Sequence, residues 1–202
     1  MLNTKLDDKL IRSKILSQLL HKSPQSKNTI VIEELDLCLG EARIDLAVIN
    51  GIAKGIEIKS DKDTLDRLDN QISIYNKVFD VMEIVVGESH LKSAFEVVPE
   101  WWGISIVYST NTSQLNYKQI RKTKINKAKD PLSVIQLLWK KEALQLLEKK
   151  NLSSQFKNKS KDEIWDKLLN LFEEKELFTF VNHFLKIRQN WRFVHQLMSN
   201  DD

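Results

Sequence analysis

ARIDLAVINGIAKGIEIKS, residues 42–60, sets three ionisable side chains inside two otherwise apolar runs. Asp45 interrupts RIDLAVI, and Glu57 and Lys59 interrupt GIEIKS; Asn50-Gly51 between them is a strong short-range hairpin signal. The runs read as antiparallel strands over 42–49 and 51–60. A two-residue turn pairs Ile49 with Ile52 and throws Asp45 and Glu57 onto opposite faces, because side chains alternate along a strand. Apolar residues meet apolar residues only if the returning strand holds one extra residue, as a bulge at Gly55 or through a three-residue turn. Either device makes Asp45 and Glu57 neighbours. Ionised groups inside a sheet are costly unless paired or bound to a cation. A hard ion such as Mg²⁺ takes one or two carboxylates plus water and phosphate. So held, it lowers the pKa of a bound water and stabilises charge developing at phosphorus. Lys59 shares the face of Glu57, where its ammonium can orient that water or neutralise the transition state.

The flanking sequence supplies the frame. Upstream, residues 4–21 space Leu6, Leu10, Ile11, Ile15, Leu19 and Leu20 as a helix closed by Ser23-Pro24, and TIVIEEL (29–35) reads as a strand. Downstream, Asp61 or Asp63 is expected to cap a helix from Thr64 carrying Leu65, Leu68, Ile72, Tyr75 and Phe79 on one side. VMEIVVG (81–87), a short helix over 89–97 and GISIVYS (103–109) follow. The order α-β-β-β-α-β, then α-β, implies an α/β (α+β) fold with a mixed sheet flanked by helices.

ID at 44–45 followed by EIK at 57–59 resembles the PD-(D/E)XK nuclease superfamily. Gln71 and Tyr75 in QISIY match the QxxxY motif of its RecB-like branch, and i,i+4 spacing sets both on one helical face. GEARID (40–45) is similar to the strand that precedes the ExK strand there. Over a longer run, with PEWWGI at 99–104 and LLWKKEAL at 137–144, the chain looks like a bacterial and phage family of unassigned role in that superfamily. The resemblance covers residues 1–110. It implies a restriction-endonuclease-like core and a nuclease using Mg²⁺, with Mn²⁺ able to substitute. Asp45, Glu57, Lys59, Gln71 and Tyr75 would be catalytic, and Asp45 and Glu57 would hold the metal. Many members place a further acid on the first helix, which here offers only Asp7 and Asp8; Glu34 is assigned that role instead, with Glu33 as competitor.

Charge divides the chain: residues 1–110 carry a net −4 and residues 111–202 a net +7. The organisation expected is a core at 1–112, a basic linker at 113–130 and a small all-helical unit at 131–202. Lys118, Arg121, Lys122 and Lys124 in the linker, with Arg67 one turn before Gln71, are expected to meet nucleic-acid phosphates. Trp101 and Trp102 read as a packed corner or a stacking pair, Trp139, Trp165 and Trp191 as core, and His90 as a surface residue. The single cysteine, Cys38, excludes an internal disulfide, and four scattered histidines disfavour a histidine metal site. No apolar run is long enough to span a bilayer, so a cytoplasmic location is expected. The partner expected is nucleic acid, DNA before RNA, with a homodimer and a protein partner at the helical tail left open. A module that keeps the fold without cutting is the alternative.

Overall fold

The computed structural model describes residues 7–22, 29–109, 115–188 and 194–196. The fold is α+β. Helix α1 (Asp8–Lys22) precedes β1 (Ile30–Leu37), β2 (Ala42–Asn50) and β3 (Ile52–Lys59). Then come α2 (Leu68–Val78), β4 (Val81–Gly87), α3 (Leu91–Val97), β5 (Gly103–Ser109) and β6 (Leu115–Arg121). The tail folds as α4 (Pro131–Ile135), α5 (Lys140–Glu148), α6 (Ser153–Phe156), α7 (Lys161–Leu171) and α8 (Glu174–Ile187), followed by a short strand, β7 (Val194–Gln196). The strands form one mixed sheet in the order β6-β5-β4-β3-β2-β1-β7. β1–β3 are antiparallel, β3, β4 and β5 run parallel, and β6 returns antiparallel to β5. Parallel strands need crossovers, and α2 and α3 supply them.

The hairpin takes the three-residue turn. Ile49 faces Ala53 and Leu46 faces Ile56 with no break at Gly55. Gly51, at φ 74°, adopts the left-handed conformation that glycine permits at little cost. Continuing this register sets Asp45 against Glu57.

The alternation expected around Asp45 does break, in both strands at once. Ile30, Ile32, Leu35 and Leu37 of β1 all join the larger apolar cluster, an odd-numbered step across Glu34, whose φ is +54°. On β2, Ile44 joins that cluster while Leu46 and Val48 join the smaller one beneath α1. The β1–β2 register is unchanged from Glu33–Leu46 to Leu35–Ile44, so both strands switch phase together at Glu34 and Asp45. A left-handed non-glycine residue costs on the order of 1–2 kcal/mol, and such strain concentrates at functional sites.

Ile11 and Ile15 of α1 cover one face of the sheet with Val31, Leu46, Ile56, Ile58, Val85 and Val107. On the other face α2 and the C-terminal helices share one continuous cluster with the strands, Tyr75 and Trp102 through to Leu146, Trp165 and Leu185.

Several expectations change. Residues 113–130, read as a linker, contain β6; an edge strand with one wet face lacks the apolar alternation that marks a buried one. The tail is not wholly helical, because β7 pairs with the outer edge of β1. Within the tail, the LLWKKEAL run is split between α4 and α5, where Glu142 accepts from Trp139 N at 2.7 Å and starts a new helix. Neither Asp61 nor Asp63 caps α2: Asp63 accepts from Ser60 N at 2.7 Å and Asp61 from the Ser89 hydroxyl at 2.5 Å. Trp102 is the packed corner, fully buried and stacked on Tyr75 at 6.2 Å. Trp165 is core, Trp139 is 41% exposed, and Trp191 lies outside the described residues. Cys38 is buried and free. No helix among the described residues is long and apolar enough to cross a membrane.

Candidate active cleft

β3 carries Glu57 and Lys59 on the face that α2 covers, and α2 offers Gln71 and Tyr75 one turn apart. The four side chains close on one another. Glu57 Oε1 accepts from Gln71 Nε2 at 2.8 Å and pairs with Lys59 Nζ at 2.8 Å. Lys59 Nζ also donates to Gln71 Oε1 at 3.0 Å, which fixes the amide's orientation. The Tyr75 hydroxyl lies 2.8 Å from both Glu57 Oε2 and the Arg43 carbonyl, and accepts from Gln71 Nε2 at 3.1 Å. Burial, then the neighbouring Glu57 carboxylate, raises the Tyr75 phenol well above its ordinary range, so it remains a neutral donor.

Asp45 is held from the other side. Its Oδ2 accepts from Ile58 N at 2.8 Å and its Oδ1 from Arg12 Nη2 at 2.9 Å. Arg12, on α1, also donates to the Asp45 carbonyl at 3.1 Å and to Asp8 Oδ2 at 3.2 Å, and stands 3.6 Å from Glu33. Burial, then the charge of Glu57, pushes the Asp45 carboxyl up to about 7, against the opposing pull of Ile58 N and Arg12. The two carboxylates thus repel each other across the cleft, with that repulsion incompletely compensated.

Asp45, Glu57, Lys59, Gln71 and Arg67 line a single open cleft of about 530 Å³, with Asp8 at its edge. The donor set suits a hard cation. Asp45 accepts one hydrogen bond at each oxygen, and Glu57 accepts one at Oε2 while Gln71 and Lys59 engage its Oε1. Among the described residues no group of three or more His, Cys, Asp or Glu is gathered for a metal. At the cleft the described residues therefore offer a pair of carboxylates, Asp45 and Glu57, which fits a cation that takes few protein ligands.

Glu34 does not join the pair. It is half exposed, stands 3.7 Å from Arg43, and lines a neighbouring pocket instead. Asp8 is the acid that α1 brings to the cleft. Of the basic residues assigned to phosphate, Arg67 is exposed on the cleft wall and Lys118, Lys122 and Lys124 are exposed away from it. Arg121 turns inward: it donates to the Trp102 carbonyl at 2.7 Å and the Pro99 carbonyl at 2.8 Å and lies over Phe95. Arg12 was not among the expected residues. Its only sequence signal is Asp8 four residues earlier, which reads as a surface helix pair.

The fold and the cleft together define an α+β protein with a paired-carboxylate site on its central hairpin. The chain belongs to the bacteriophage P4 protein cII family, whose description matches residues 1–201. It is 29% identical to Protein cII of Enterobacteria phage P4 over 132 residues, 65% of this chain. That match spans 50% of the phage protein's length. No solved structure matches.

Proposed function

We propose that the chain is a metal-dependent nuclease of the PD-(D/E)XK class, with a restriction-endonuclease-like core, acting on DNA phosphodiesters. One observation carries this reading. Asp45 and Glu57, from adjoining strands, face a common cleft in which Lys59, Gln71 and Tyr75 converge on Glu57. Asp45 and Glu57 would hold Mg²⁺ or Mn²⁺, which when bound supplies a Lewis acid and a nucleophilic water at neutral pH. Gln71 and Tyr75 fix the Glu57 carboxylate in one rotamer. Lys59 supplies positive charge beside the phosphate, where an ammonium stabilises the charge that builds up in in-line attack. Arg67, on the cleft wall, is placed to meet a flanking phosphate. Lys118, Lys122 and Lys124 add sequence-independent attraction to the backbone. Membership of a phage protein family fits a role in phage biology.

Incubating circular and linear DNA with the protein in Mg²⁺ or Mn²⁺ tests the proposal. Cleavage by the wild type that disappears in Glu57→Ala supports it; equal cleavage by both rejects the site.

A second reading, a nucleic-acid-binding or protein-interaction module that cuts nothing, draws on Arg12. Its guanidinium already neutralises Asp45 Oδ1 at 2.9 Å, the charge a cation would otherwise meet. Stoichiometric DNA binding without turnover in any divalent metal favours that reading over the first.

A further inference from the structure

Beside the cleft lies a second pocket, of about 410 Å³, between β1 and the start of α5. The two share Asp36, Gly40 and Arg43 as wall residues. Arg43 stands at the junction. Its carbonyl is 2.8 Å from the Tyr75 hydroxyl, while its exposed guanidinium bonds Asp36 at 2.7 Å. The pocket also presents two large apolar side chains to solvent, Trp139 at 41% and Leu39 at 68% exposure. Leu39 is held at φ 60° and so is presented at a cost in backbone strain. The Trp139 ring is backed by the Arg188 guanidinium, 4.4 Å from its centre. Arg188 itself is buried and locked by Glu142 at 2.6 and 2.9 Å and by the Leu137 carbonyl at 2.8 Å. An exposed indole on a rigid cationic backing is a preorganised stacking platform, and its partner must be flat and π-rich.

We propose that this pocket takes an unpaired nucleobase of the nucleic acid whose phosphate occupies the adjoining cleft. The inference rests on the nuclease reading and narrows its substrate to single strands, flaps or frayed ends. The polar rim is mixed in sign. Lys161, and Arg43 on release from Asp36, suit the phosphates on either side of the base, and the Glu33, Glu34 and Asp36 carboxylates accept from exocyclic amino groups, as acids do from cytosine. The exposed Lys141, 4.9 Å from the indole centre, swings onto a phosphate when the base stacks. A base held in a continuous duplex cannot enter, because leaving the stack costs a few kcal/mol.

Fluorescence anisotropy tests this without turnover, in Ca²⁺, with a roughly 12-nucleotide labelled single strand and its blunt duplex. The wild type is expected to prefer the single strand. Trp139→Ala should weaken that binding about 5- to 100-fold, one base–aromatic stack, while duplex binding changes less than about twofold. Trp139→Phe should restore part of the loss. Leu39→Ser, on an exposed residue with no fold to support, should reproduce a smaller loss. Circular dichroism confirms that each variant is folded. Equal affinity of the wild type for both DNAs, or single-strand affinity unchanged in both Trp139→Ala and Leu39→Ser, overturns the proposal. Glu57-dependent cleavage with no effect of Trp139 leaves the nuclease standing and removes the pocket. Trp139-dependent binding with no cleavage in any metal does the reverse.

Discussion

Two buried glutamates on adjacent central strands meet the same three-part chemistry with opposite outcomes. Glu57 on β3 has a lysine, a tyrosine and the amide of Gln71. Glu83 on β4 has Lys54 at 2.5 Å, the Tyr117 hydroxyl and the Ser105 hydroxyl, on the face that α1 covers. Around Glu83 the ledger of charge closes: one acid meets one base, and Lys54 with the two hydroxyls outweighs burial, holding the carboxyl below its ordinary range. Around Glu57 it stays open, because Asp45 brings a second negative charge into the cleft and shares its base, Arg12, with Asp8. A buried ionic network is thus weak evidence of function by itself; an extra like charge reaching solvent is the stronger signal.

The largest effect expected separates the two glutamates by activity. Glu57→Ala should lower DNA cleavage on the order of 10³-fold or more, the scale of losing an electrostatic catalytic group. Glu83→Gln should leave kcat within about twofold and lower the unfolding midpoint instead. Cleavage lost equally in both would end the distinction. Next in size are the lysines. Lys54→Met leaves Glu83 buried with only hydroxyl donors and should cost about 3 kcal/mol in urea unfolding, the low end for breaking a buried pair. Lys59→Met leaves Glu57 equally buried, with the Gln71 amide and the Tyr75 hydroxyl as donors, so its stability cost should be comparable and cleavage should fall as well.

The pH dependence of stability without metal, measured in EDTA, sharpens the contrast. Glu83 is depressed on folding, so its contribution is complete above the ordinary glutamate value of 4.5 and is lost as pH falls. Asp45 runs the other way: raised from 3.8 to about 7, it costs stability progressively as pH rises through that window. Asp45→Asn should therefore melt above the wild type at pH 8 and converge with it near pH 4. Glu83→Gln should melt below the wild type at pH 8, with the gap closing in acid. Parallel curves for wild type and Asp45→Asn would mean that neither burial nor the Glu57 charge raises the Asp45 carboxyl on folding.

The same comparison shows what the sequence could and could not disclose. β4 and β5 lie where their apolar runs end in turn residues, at 81–87 and 103–109. The meeting of Asp45, Glu57 and Lys59 was legible because charge inside an apolar strand is costly, and matching apolar residues across the hairpin required one extra residue, as a bulge or in the turn. Glu83 in VMEIVVG carries the identical signal and went unread, for want of a visible partner: Lys54 and Tyr117 lie 29 and 34 residues away. Arg12 is hidden for a related reason, reaching Asp45 across 33 residues. The left-handed turn at Glu34 has no glycine or asparagine to announce it, so the phase switch that carries that acid away from the cleft is a tertiary result. Trp139 was misread because apolar helical spacing says nothing about a helix break that lifts one residue out of the core.

The smallest effect expected is also the most discriminating, because each tyrosine donates to a buried glutamate but only one of those glutamates lines the cleft. Tyr117→Phe removes one of two hydroxyls from a sealed carboxylate whose lysine remains, and should cost about 1.5 kcal/mol, the value of a hydrogen bond to a charged acceptor. Cleavage should not change. Tyr75→Phe removes the donor at Glu57 Oε2 and the contact with the Arg43 carbonyl, at a side chain with no solvent exposure. Its stability cost should be at least as large. Its kcat should fall about tenfold, equivalent to about 1.4 kcal/mol at the transition state, because Glu57 loses its fixed rotamer. Paired urea melts and single-turnover cleavage measure both quantities on the same samples. A tenfold loss in Tyr117→Phe, or none in Tyr75→Phe, would show that openness to the cleft is not what separates a catalytic carboxylate from a structural one here.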